Sequence, residues 1–247
     1  MFRALLWKEW RQLRVVRWLG MVIALALPGL LLLLFRFWAS GYGPSDVLGE
    51  MMSYVVPFVV PLFALVATTQ AFWNDRETGT EHFLLEFPVR RSSRFFAKLV
   101  CAVGTTVQVA LVMFLAWVLV AFLADVDSKS LRIALVQAGG RTSPGVGMIT
   151  ATATASAILA SSPMASALLT YFVASLLVTV YTFRHHRLLL NSIVPLIVIC
   201  AGFLVASYTG FCLGEPAGRW RIARTITVMA AAFVLSLAVS YLTGNRW

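Results

Sequence analysis

Charge is what this chain has little of. Only 12% of its 247 residues are Asp, Glu, Lys or Arg, about half the share of an ordinary soluble domain, which argues against a water-soluble globule. Cysteine is rarer still. Cys101, Cys200 and Cys212 are odd in number, far apart and placed in or beside apolar runs, so neither a disulfide framework nor a CxxC metal site is visible and they read as packing residues. Histidine offers no metal site either: His185 and His186 lie between Arg184 and Arg187, whose charge repels a further cation, and His82 with Glu86 lacks a third ligand. No GxxxxGK[ST] sequence occurs, so the loop that cradles nucleotide phosphates is missing. What the chain has in abundance is apolar surface, 60% hydrophobic residues, together with a net charge of +10 from twenty basic and ten acidic residues. In so apolar a chain that excess reports orientation in a bilayer and not nucleic-acid binding.

Six apolar runs, 19–35, 51–72, 99–124, 164–183, 188–208 and 222–242, come near the ~20 residues that cross the hydrocarbon. A seventh, 144–161, is rich in Thr, Ala and Ser and at ~1.5 Å per residue reaches about 27 Å, just enough to cross. Ser143-Pro144 and Ser162-Pro163 each read as an N-cap followed by proline at the first helical position, which predicts two separate helices joined by a tight turn, and seven spans. The charged stretch before the first run is too long for a signal peptide, so the start is expected to stay attached.

Half of the basic residues fall in two segments. Arg3, Lys8, Arg11, Arg14 and Arg17 precede the first run, and Arg76, Arg90, Arg91, Arg94 and Lys98 separate the second from the third. Both segments are expected in the cytoplasm, with the acid-bearing 40–50 on the other side. Beyond residue 125 the rule ties, because six spans and seven both leave thirteen bases inside and seven outside. The chain thus divides into an amphipathic helix over 1–17, two spans over 18–72, a cytoplasmic segment over 73–94, four further spans over 95–209, and a basic segment with a last span over 210–247.

Two elements are not spans. At ~100° per residue Phe2, Leu5, Leu6, Leu13 and Val16 share one arc, with the five bases opposite, the pattern of a helix in the membrane interface. Trp7 and Trp10 suit the headgroup level, and the face carrying Lys8 and Arg11 attracts anionic lipids. Glu9 falls in the middle of the apolar arc, where an unpaired carboxylate is costly. Either it meets Arg90, Arg91, Arg94 or Lys98 and ties this helix to the third span, or the helix rolls and Glu9 reaches water or a backbone N–H. The second element follows residue 72. Thr78 and Glu81 make a capping box, Gly79 permits a change of direction and Pro88 disfavours helix at Phe87, which brackets a helix of about eight residues, too short to stand alone. Its Phe83 and Phe87 share a face. It either packs on its own membrane domain or docks into a cytoplasmic partner.

These residues resemble a known family. Leu6-Trp7-Lys8-Glu9-Trp10-Arg11, the stretch from Arg76-Glu77-Thr78-Gly79-Thr80-Glu81 through Leu84-Leu85 to Pro88 and Arg94, and Ala160-Ser161-Ser162-Pro163-Met164-Ala165 look like permease subunits of type-2 ABC transporters, in order and spacing up to about residue 210. The resemblance implies an all-α polytopic bundle, a six-helix core to which the last span is an addition. It implies an N-terminal connecting helix and a coupling helix seated in an ATP-binding subunit, with contacts from Glu77, Thr78, Gly79, Thr80, Glu81, Phe83, Leu84, Glu86, Phe87 and Pro88. ATP and Mg would sit on that partner and no cofactor on this chain. A second permease copy or a related permease would complete the path across a cell inner membrane, the N-terminus cytoplasmic.

Polar residues inside spans are the usual functional suspects. Thr105, Thr106 and Gln108 are the candidates for a translocation path, with Gln70 and Asn191 beside them, although most such residues join helix to helix. Asp125 and Asp127 have no visible catalytic partner. The leading expectation is the membrane subunit of an ABC exporter. The alternatives are an intramembrane enzyme, for which no span carries a His, Asp or Glu constellation, and a non-transporting assembly or scaffold protein.

Overall fold

The computed structural model describes residues 2–38, 44–77, 90–160, 162–184, 193–212 and 219–244. They form eight helices: α1 (Phe2–Gln12), α2 (Arg14–Trp38), α3 (Pro44–Glu77), α4 (Arg91–Leu123), α5 (Ser128–Leu159), α6 (Pro163–Arg184), α7 (Ile193–Cys212) and α8 (Arg219–Gly244). The N-terminal helix breaks at Leu13, four residues short of the expected boundary at 17. The break is a bend and not an end, since Leu13 N–H still donates to Glu9 O at 3.1 Å and Arg17 N–H to Leu13 O at 2.9 Å.

Three apolar clusters show which way each helix runs. Ala24, Met52, Val56, Val60, Met113, Trp117, Ala134 and Ala138 share the first, and Leu13, Phe72, Trp73, Phe95, Cys101 and Ala157 the second. Helix α2 therefore leaves the second cluster for the first, α3 returns, α4 leaves again and α5 returns. The third cluster joins Met148 and Ala151 of α5 to Ala174 of α6, Ile199 and Phe203 of α7 and Ala232 of α8. Among the described residues five segments are long and apolar enough to cross a membrane, Arg14–Leu34, Met51–Asp75, Arg91–Leu123, Val194–Cys212 and Ile222–Val239, with Pro163–Ser175 a shorter apolar helix. Helix α4 shows how such segments are built. Phe96, Val100, Val107, Leu111, Leu115 and Phe122 are exposed on one side, for lipid to cover, while Phe95, Cys101, Ala102, Val109, Met113 and Trp117 are buried on the other. Amphipathicity here separates lipid from protein, with apolar groups on both sides.

Helix α5 is the exception to the apolar rule and the centre of the bundle. Residues 150–158 are buried without interruption, and the run is Thr, Ala, Thr, Ala, Thr, Ala, Ser, Ala, Ile. A helix that touches protein on every side has no lipid to satisfy, and small side chains let its neighbours come close. Two hydroxyls bond back along the helix, Thr152 to Met148 O at 2.9 Å and Thr154 to Thr150 O at 2.6 Å. The expected helix start at Ser143-Pro144 is corrected: Pro144 lies inside α5, where it withholds a hydrogen bond from the carbonyl one turn back and crowds it with its ring without ending the helix. The helix begins instead at Ser128, after a tight turn in which Asp125 takes a left-handed φ of 54°, a conformation that aspartate tolerates better than most residues.

The second Ser-Pro pair does open a helix. Ala165 N–H donates to Ser162 Oγ at 3.1 Å, and Pro163 is the first residue of α6. Ser162→Ala is expected to cost about 1 kcal/mol, read as a lower thermal midpoint of the detergent-solubilised chain.

Candidate functional site

Four charged side chains converge where α1 lies across the ends of α3 and α4. Helix α1 turns its Leu5, Glu9 and Leu13 side inward, each less than a tenth exposed, so the apolar arc covers the bundle and carries Glu9 in with it. Lys98 comes from the buried side of α4, one turn after Arg94 and three residues after Phe95. Asp75 comes from the end of α3.

Lys98 is 4% exposed and its Nζ has three protons to place. It finds three acceptors: Asp75 Oδ2 at 2.7 Å, Ala71 O at 2.6 Å and Glu9 Oε2 at 3.3 Å. Asp75 spends its other oxygen on α1, accepting from Lys8 Nζ at 2.7 Å and Gln12 Nε2 at 3.3 Å. Lys8 also lies 3.8 Å from Glu9 Oε1. Two lysines thus meet two carboxylates, with the buried Arg94, one turn before Lys98, close enough to interact with the Asp75 charge. Of the two readings of Glu9, the structure takes the pairing with Lys98. Burial pushes the Glu9 carboxyl above the ordinary range and the neighbouring Asp75 adds to that, with Lys98 and Lys8 opposing.

Aromatic packing braces the cluster. Phe72 and Phe95, each three residues from a charged member, meet edge to face at 5.6 Å, and Phe95 also packs on Tyr208 at 5.5 Å and Phe211 at 5.6 Å from α7. Cys101 Sγ donates to Leu6 O at 3.4 Å, a further tie from α4 to α1. The buried environment strengthens each polar contact and makes any unpaired partner costly.

The location gives the arrangement its meaning. Asp75 stands three residues before Thr78 and Lys98 ten residues after Pro88, so α1 is fastened to both helices that flank segment 78–89. Glu77 is the last residue of α3; Thr78, Gly79, Thr80, Glu81, Phe83, Leu84, Glu86, Phe87 and Pro88 lie outside the described residues, as do Asn191 and the histidines. Of the interfacial residues, Lys8 and Glu9 join the cluster, Trp10 is half-buried with the Arg17 guanidinium 4.3 Å above its ring, and Trp7 and Arg11 are exposed.

The span candidates are not part of this cluster. Thr106 is buried and bonds back to Ala102 O at 3.0 Å. Thr105 is 1% exposed, and among the described residues its hydroxyl has no hydrogen-bond partner. Gln108 donates to Met21 Sδ at 3.5 Å, while its Oε1 is buried and unpartnered among the described residues. Gln70 is half-buried. Asp75, Gln12 and the Ala71 carbonyl escaped the sequence reading. The signal that could have found Asp75 was the symmetry of the problem: Lys8 is adjacent to Glu9 and needs an acid of its own, and few acids exist to supply it.

The family described as ABC-2 family transporter protein matches residues 5–185, which takes in α1 through α6 and stops before α7, short of the residue near 210 expected from the motifs. Among curated proteins none matches the chain. A multi-pass helical membrane bundle and a family match over more than half its length lead to one assignment: the chain belongs to the ABC-2 transporter family, as a membrane permease component.

Proposed function

We propose that this permease is the membrane half of an exporter whose ATP is hydrolysed on a separate subunit, with ATP and Mg bound there, and that segment 77–88 is the contact between them. The single observation that carries the reading is the Lys8, Glu9, Asp75 and Lys98 cluster, which fastens both flanks of that segment to α1. When ATP draws two nucleotide-binding subunits together, a displacement of the segment reaches α1, α3 and α4 as one body. This is a two-state switch biased by ligand binding elsewhere. Phe83, Leu84 and Phe87 supply apolar contact, and Glu77, Glu81 and Glu86 meet basic groups on the partner. Thr105, Thr106 and Gln108 remain candidates for the path, which a second copy or a related permease completes. The N-terminus and segment 73–94 face the cytoplasm in this reading, and α5 crosses as one of seven spans, with α8 the addition to the six-helix core.

The test is co-purification. The full chain is expected to bring a P-loop ATPase with it from membranes, and Phe83→Ala/Phe87→Ala to lose that ATPase while remaining membrane-inserted. Retention of the ATPase by the double variant overturns the assignment of the contact.

A further inference from the structure

Turning its apolar arc to the protein leaves α1 and the first turns of α2, whose helical hydrogen bonding carries on through the bend at Leu13, with an outward face of a different kind. Arg3, Trp7, Arg11, Arg14 and Trp18 follow one another at intervals of three or four residues, and all five are exposed, Trp7 by 68% and Trp18 by 56%. The spacing puts them on one side of the helix. We propose that this stripe is a binding surface for the headgroups of anionic phospholipids.

Three observations commit the surface to lipid. The first is charge. The only acid in α1 or α2 is Glu9, which is buried on the opposite side, so the stripe is positive throughout. Among the described residues no carboxylate lies within ion-pair distance of Arg3, Arg11 or Arg14, whereas Arg17 is occupied by the Trp10 ring. The second is the aromatic pair, since Trp combines an apolar ring with a polar N–H and suits the headgroup level. The third is continuity. Beyond Trp18 the same helix exposes Leu19, Val22, Leu25, Leu30 and Leu33, the surface that α2 offers to acyl chains. A phospholipid with its tails along α2 therefore has its phosphate at the height of Arg11 and Arg14. The inference requires only that the chain is a membrane protein and stands apart from the coupling reading.

The experiment is native mass spectrometry of the full chain, released from micelles containing phosphatidylglycerol or phosphatidylcholine. Wild type is expected to retain phosphatidylglycerol in preference to phosphatidylcholine. Arg11→Gln/Arg14→Gln is expected to bind phosphatidylglycerol about 30-fold more weakly, roughly five-fold per arginine. Lys129→Gln/Arg132→Gln removes the same charge at the far end of the bundle and is expected to behave as wild type. Equal retention of both lipids, no change in the first variant, or equal loss in the two variants overturns the proposal. So does loss of an associated ATPase from the first variant with lipid retention unchanged, which would make the stripe a protein-docking face.

Discussion

Asp75→Asn is expected to lower the stability of the solubilised chain by roughly 3 kcal/mol, the lower end of what removing one partner of a buried ion pair costs. The lower end applies because Lys98 keeps Glu9 at 3.3 Å and the Ala71 carbonyl at 2.6 Å, and because Lys8 is 31% exposed and can turn to water. Glu9→Gln is expected to cost far less, about 1 kcal/mol or under. The asymmetry follows from geometry, since Asp75 binds both lysines at 2.7 Å and Glu9 neither so closely. It follows also from titration. A carboxyl whose pKa is raised on folding contributes most to stability below the ordinary carboxylate range, and that contribution is lost as pH climbs through the raised value. Ionised Glu9 therefore stabilises the fold less at neutral pH than its pairing alone would give, and Glu9→Gln should flatten the decline in thermal midpoint as pH climbs from the ordinary carboxylate range through the raised value.

A paired variant separates stability from transmission. Asp75→Asn/Lys98→Met leaves Lys8 with Glu9 but takes the Asp75 charge from Arg94, and is expected to recover part of the lost stability. If the cluster passes motion from segment 77–88 to the bundle, this variant folds but shows ATPase activity no longer stimulated by assembly with the permease. Full stimulation in a folded Asp75→Asn/Lys98→Met complex would mean that the cluster is only a brace.

The second large effect is expected at Gly202. A Cβ placed there would collide with Ala232 of α8, a contact between two short, stiff groups with no flexible end to yield. Gly202→Leu should therefore force α7 and α8 apart and cost about 3 kcal/mol, the upper end for overpacking a dense site. The exchange Gly202→Ala/Ala232→Gly keeps the same number of methyl groups and is expected to be much milder than Gly202→Ala alone. Thermal unfolding of these variants together with Ala232→Gly checks this, and an additive double variant would remove the direct contact as the cause.

The parts legible in the sequence were those in which one residue contradicted its neighbours. Glu9 in an apolar arc demanded a cation, and the structure supplies Lys98. Ser162-Pro163 marked the start of α6 because an N-cap and a first-turn proline agree. Asp75 was hidden by agreement of another sort: between Asn74 and Arg76 it looked like the beginning of a polar loop, while α3 in fact continues to Glu77. Pro144 misled because proline is a good helix opener in water, whereas inside a membrane bundle neighbouring helices and side chains can satisfy the backbone it frees. The weak hydropathy of 144–161 had the same origin. Hydropathy measures affinity for lipid, and the most enclosed helix of the bundle has the least need of it.

That enclosure bears on how the chain enters the bilayer. A segment built on Thr-Ala-Thr-Ala-Thr-Ala-Ser-Ala gains little by partitioning into hydrocarbon alone, so α5 depends on its neighbouring helices. Its most extensive docking site is made by α3, which precedes it in the chain and is long and apolar enough to insert by itself, and the rest is made by α6 and α7, which follow it. Biogenesis then has an order: apolar α3 is laid down first and receives the polar centre, which α6 and α7 enclose as they follow.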